Sequence, residues 1–136
     1  MTIIDAKGAV LGRLASNVAK RLLNGEEITV VNAEELLLSG RLENSLQEYS
    51  AAYNRGKAIR GPEFPRMPDR LFRRTVRGML PFRTKRGRDA YRRLKVFIGV
   101  PKDVDAKSAE KIALAPPGRN YVKLAEVSRL LGAKVH

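Results

Sequence analysis

The chain has 136 residues, 43% of them apolar, no cysteine, and a formal charge of +13 from 27 Lys and Arg against 14 Asp and Glu. That apolar content is ordinary for a folded domain and too high for a disordered basic tail, and the missing thiols exclude disulfides, thiol nucleophiles and thiolate metal sites. One domain over residues 1–136 is the economical expectation; no leader-like start and no membrane-length apolar run is visible, so a soluble, cytoplasmic protein is expected.

Thr2–Asp5 is a short β-type run that Lys7-Gly8 breaks. Leu11, Leu14, Ala15, Val18, Ala19, Leu22 and Leu23 recur at three- and four-residue intervals, the spacing of one helix face. Asn24-Gly25 stops that helix. The β-branched run Ile28–Val31 then predicts a strand, and strand, helix, strand reads as a βαβ unit with parallel pairing. Leu36–Leu38 is a possible third strand, and Leu42, Leu46, Tyr49 and Tyr53 share one side of a helix from about Arg41 to Asn54. Between Gly56 and Pro68 the glycines and prolines favour an extended path. Pro68 suits the first turn of a helix running to about Met79. A turn over Phe82–Gly87 leads into a basic helix from about Arg88, followed by a strand over Val96–Ile98. Beyond the Pro116-Pro117-Gly118 loop, Leu124, Val127, Leu130 and Leu131 mark a last amphipathic helix.

Charge is concentrated in the middle. Residues 55–95 hold 15 of the 27 cations and three of the 14 acids, a local net charge of +12. Arg70, Arg73, Arg74 and Arg77 fall on one face of the predicted helix, opposite Phe72, Val76 and Met79. Arg55, Lys57, Arg60 and Arg66 precede that stripe; Arg83, Lys85, Arg86, Arg88, Arg92 and Arg93 follow it. A solvated face usually mixes signs, and this one does not. So concentrated a field repels itself unless a polyanion lies against it, and guanidinium forks onto phosphate oxygens. Nucleic acid is the implied partner. Phe64 and Phe82, in loops, are candidates for base stacking. Mutual repulsion also predicts that residues 55–90 are mobile until RNA is bound.

Two other classes fit the sequence less well. A nucleotide-dependent enzyme would use the first βα loop, but Gly8 and Gly12 fit neither phosphate-loop pattern. The only His is His136, and the acids Asp5, Glu26-Glu27 and Glu34-Glu35 suit solvated or capping roles. A DNA reader with its helix in the major groove would favour Asn or Gln on the reading face, where this chain offers four arginines. No catalytic residue, metal or cofactor is expected.

Val76-Arg77-Gly78-Met79-Leu80-Pro81, followed by Leu94-Lys95-Val96-Phe97-Ile98-Gly99, resembles the signature region of a universal family, the thirteenth protein of the large ribosomal subunit. Leu11-Gly12-Arg13-Leu14-Ala15-Ser16, Val30-Val31-Asn32-Ala33-Glu34 and Ser39-Gly40 match that family in the same order. The likeness covers roughly residues 2 to 101, and Gly61-Pro62-Glu63-Phe64-Pro65-Arg66-Met67-Pro68 is similar to its archaeal and eukaryotic branch; the short ending looks archaeal. The resemblance implies an α/β fold, three-layer α/β/α around a small, mainly parallel sheet, with a basic Arg-rich helix and loop extension. It further implies a non-enzymatic role in ribosomal RNA binding, subunit assembly and translation, with neighbouring large-subunit proteins as partners and no membrane or small-molecule substrate. By the same analogy Arg77 and Gly78 lie at the RNA surface, Met79 and Leu80 anchor that segment, and Arg13 is a contact candidate.

Overall fold

The first strand–helix–strand unit forms as its periodicity dictates: β1 (Thr2–Asp5), α1 (Leu11–Leu23) and β2 (Ile28–Val31) follow in order. The computed structural model describes residues 2–54, 66–104, 106–116 and 119–133, the side chains of residues 52–54 and 106 excepted. Leu11, Leu14, Ala15, Val18, Ala19 and Leu22 are the buried stripe of α1. Its end is closed by a Schellman arrangement: Gly25 N–H donates to the Leu22 carbonyl and Glu26 N–H to the Arg21 carbonyl. Gly25 sits at φ +98°, a conformation glycine adopts without penalty.

The remaining elements are β3 (Leu37–Ser39), α2 (Leu42–Asn54), α3 (Pro68–Met79), α4 (Lys85–Arg92), β4 (Leu94–Val96), β5 (Tyr121–Lys123) and α5 (Leu124–Leu130). β1, β2 and β4 form a parallel sheet with β2 in the centre, Ile3 facing Thr29 and Thr29 facing Lys95. β3 does not join it. That strand pairs antiparallel with β5, Leu38 opposite Val122, a three-residue partner too short to show a pattern of its own. The strand expected at Val96–Ile98 lies two residues earlier because the chain then turns aside. The Phe97 and Gly99 carbonyls accept from the Ala33 and Asn32 N–H groups, locking the turn after β2.

Helix α1 packs on α3 and α4, and α3 and α4 also pack on β4; α5 packs against β5, α2 and α3. One core joins Ile4, Val30, Leu94 and Val96 of the sheet to Leu14, Val18, Leu22, Leu71, Phe72 and Val76 of the helices. Alternation along each strand leaves Ile3, Thr29 and Lys95 on the opposite sheet face. The α/β class expected from the sequence is the class that forms.

The Arg-rich helix is integral to this core. Four like-charged pairs at three- and four-residue spacing disfavour α3 by about 1–2 kcal/mol in all. Burying Leu71, Phe72 and Val76, each at most 1% exposed, returns about 1.5–3 kcal/mol apiece. Packing therefore outweighs repulsion in α3. Residues 55–65 lie outside the described residues. Among the described residues no helix is long and apolar enough to cross a membrane.

Candidate nucleic-acid interface

The stripe is built by one helix with two unlike faces. Pro68 occupies the first helical position of α3, where its missing N–H has no cost, and Asp69 lies in the first turn. With Leu71, Phe72 and Val76 in the core, geometry turns Arg70, Arg73, Arg74 and Arg77 outward: three are exposed, and Arg73 is half-buried. No carboxylate among the described residues lies within ion-pair distance of Arg70, Arg73 or Arg77.

Two aromatic rings seat two of these arginines. The Arg77 guanidinium carbon is 4.2 Å from the Phe82 ring centroid, and that of Arg73 is 5.0 Å from the Tyr91 centroid. Phe82 and Tyr91 meet edge to face, centroids 5.6 Å apart at 89°. The four side chains thus form a continuous stack from α3 across the turn to α4. A guanidinium held over a ring face keeps N–H groups to donate while a side chain with about 2 kcal/mol of rotamer entropy is restricted. Phe82, expected as a base-stacking ring, instead has a face covered by Arg77. Phe64 lies outside the described residues.

The turn between the helices depends on Gly87. Thr84 caps α4 by accepting from Gly87 N–H (3.2 Å), and its hydroxyl donates to the Pro81 carbonyl (2.8 Å). A Cβ on Gly87 would stand 2.0 Å from that carbonyl oxygen. Close approach, not a chain break, is why glycine stands there, and α4 accordingly begins at Lys85 instead of Arg88.

The remaining predicted residues divide into groups. Arg83, Lys85, Arg86, Arg88 and Arg92 are exposed, as is Arg13 on α1. Arg86 also reaches the Leu23 carbonyl at 3.4 Å, and Arg92 stands 3.9 Å from Asp89. Arg93 is half-buried and donates to the Leu22 carbonyl at the C-terminal end of α1, where a cation complements the helix dipole. Arg66 is exposed, with its guanidinium against Gly132 at the end of α5. Gly78 is exposed and a Cβ there would meet nothing within 4 Å. Met79, expected as an anchor, is 43% exposed; Leu80, at 6%, is buried without it. Arg55, Lys57 and Arg60 lie outside the described residues.

At the C-terminal ends of the parallel strands, where α/β folds commonly place chemistry, the carboxylates are structural. Asp5 accepts from Lys7 N–H and the Asn32 amide, both at 3.0 Å; Glu34 accepts from Gly99 N–H at 2.9 Å. Glu35 pairs with Lys123 at 3.3 Å. Arg21 is likewise engaged: its hydrogen bond to Glu110 raises its pKa against the opposing effect of burial, with Glu26 adding to the pull.

Comparison with known proteins identifies the family. The family model described as ribosomal protein L13 matches residues 1–103. The large ribosomal subunit protein uL13 of Archaeoglobus fulgidus is 54% identical over 136 residues, covering 96% of this chain and 87% of the relative. Those of Methanococcoides burtonii and Methanosarcina barkeri are each 49% identical, covering 98% of this chain and 99% of theirs. The likeness to archaeal relatives thus extends through β5 and α5, beyond the reach of the family model. The chain belongs to the ribosomal protein L13 family, a family of structural, non-enzymatic components of the large ribosomal subunit.

Proposed function

We propose that this member of the family binds large-subunit ribosomal RNA through the outward face of α3, the turn after it and the exposed arginines of α4, and so supports subunit assembly and translation in the cytoplasm. The observation that carries the reading is a helix with one face in the core and four arginines on the other, two of them stacked on aromatic rings. Arg–phosphate contacts supply affinity that falls with salt, and the fold of the RNA supplies selectivity. Neighbouring ribosomal proteins complete the surroundings, and no cofactor is required. Crosslinking the chain to native cellular RNA and mapping the peptides tests this. Crosslinks within residues 66–93, to large-subunit ribosomal RNA, are expected; crosslinks confined to Gly8–Arg13, or duplex DNA competing as well as ribosomal RNA, would refute it.

A further inference from the structure

A cavity of about 160 Å³ opens beside the first residues of β2 and β4, lined by Glu27, Thr29, Arg92, Arg93 and Lys95. Two of these residues break a strand pattern. Parallel strands covered on both faces read as near-continuous apolar runs, yet Thr29 stands between Ile28 and Val30, and Lys95 between Leu94 and Val96. They are direct neighbours in register and share the sheet face opposite the helical core. Thr29 is 2% exposed, so it belongs to the cavity's floor, whereas Lys95 and Arg92 are exposed at its mouth. Arg93 is held in place by its bond to the Leu22 carbonyl, which fixes its charge before any ligand arrives. Three cations against the single acid Glu27 leave the cavity positive.

We propose that this cavity binds a phosphate group of RNA, forming a second anion site on the sheet face turned away from the α3 stripe. It rests on the RNA reading above and adds a second contact surface to it. The α3 arginines point away from the core on the helical side, while Thr29 and Lys95 point away from it on the other. Arg92 ends α4 and Arg93 follows it, so the cavity adjoins the first surface there, while Thr29 and Lys95 carry the contact on to the other sheet face. Glu27 repels phosphate but accepts from a ribose 2′-hydroxyl beside it, which favours RNA over DNA at this position.

The test uses the full chain and a large-subunit ribosomal RNA transcript, with affinity measured against salt and nucleotide protection mapped by hydroxyl radicals. The variant Lys95→Gln is expected to lower the slope of log affinity against log salt by about 0.7–0.9, the value of one phosphate contact. It loses one set of protected nucleotides that the stripe variant Arg70→Gln/Arg77→Gln keeps, and Lys95→Arg retains both sets. A Lys95→Gln protein with parental slope and protection, beside a stripe variant that weakens, overturns the second site and leaves the stripe intact. Should neither variant change the slope, the RNA reading itself fails. Inorganic phosphate is expected to shift the Thr29 and Lys95 amide resonances and to compete with RNA there. Such shifts with unchanged RNA protection in Lys95→Gln would assign the cavity to a free anion and overturn its RNA occupant.

Discussion

Replacing Gly87 and Gly78 by alanine, one at a time, makes the same chemical change in two helices and is predicted to have opposite outcomes. At Gly87 the new Cβ meets the Pro81 carbonyl oxygen at 2.0 Å, its carbon at 2.3 Å and the Phe82 nitrogen at 2.9 Å. All three are backbone atoms, so the turn or the helix has to move. Overpacking of this kind costs about 1–3 kcal/mol. Opening the turn also loses the Thr84 cap, worth about 1 kcal/mol. Alanine's preference for helix returns about 1 kcal/mol, leaving a net destabilisation of about 1–3 kcal/mol. At Gly78 nothing stands within 4 Å, so only the helix preference remains and stability rises by about 0.5–1 kcal/mol. The two variants should therefore differ by about 2–4 kcal/mol in urea unfolding, or roughly 8–15 °C in Tm at about 4 °C per kcal/mol. Gly87→Ala should also weaken RNA binding, since the same turn aligns Phe82 and Tyr91 beneath Arg77 and Arg73. Variants whose stabilities agree within about 0.5 kcal/mol, a surface-substitution effect, would refute the close-approach argument.

Three other substitutions probe separate parts of the molecule. Phe82→Leu keeps every charge but removes the seat of Arg77; RNA affinity should fall about 2–5-fold with an unchanged salt slope, from a cation–π contribution of about 0.5–1 kcal/mol, and Phe82→Tyr should restore it. Arg93→Met removes the charged donor from the Leu22 carbonyl and should cost about 1–3 kcal/mol of stability in the free protein; parental denaturation would contradict that role. Burial of Tyr49, reinforced by Glu48, pushes its pKa from 10.0 to about 12. The folded state thus favours the neutral phenol, and this stabilisation is complete below pH 10 and lost as pH rises towards 12. With partial exposure taken into account the loss is about 1–2 kcal/mol. Tyr49→Phe should flatten that alkaline limb of the stability curve, and an unchanged limb would refute it.

How much was legible in the sequence follows from which signals are local. The spacing of Leu11 to Leu23 fixes α1, and the stop at Asn24-Gly25 is a backbone requirement readable from two residues. The stripe at 70, 73, 74 and 77 is legible for the same reason, since helical periodicity alone puts the four on one face. Contacts between elements leave no such trace. Nothing near Arg77 in sequence says that Phe82 folds back under it, or that Tyr91, on the next helix, receives Arg73. Gly87 carries the opposite lesson: read as a breaker, it lies inside a helix because another segment's carbonyl occupies the place of its side chain. The charge of Arg93 is legible, but not that it reaches the end of α1, 71 residues away in sequence. Lys95 had a readable signal, a cation alternating with Leu94 and Val96, but its neighbour Thr29 emerges only from the register of β2 and β4.

The central claim is that the α3 arginines neutralise RNA phosphate. The most direct measurement is the salt dependence of ribosomal RNA binding by the Arg70→Gln/Arg73→Gln/Arg74→Gln/Arg77→Gln protein, with far-UV circular dichroism confirming that its helices remain. Four lost phosphate contacts should lower the slope of log affinity against log salt by about 3 and weaken binding at every salt concentration measured. A folded quadruple variant with the parental affinity and slope would contradict the account.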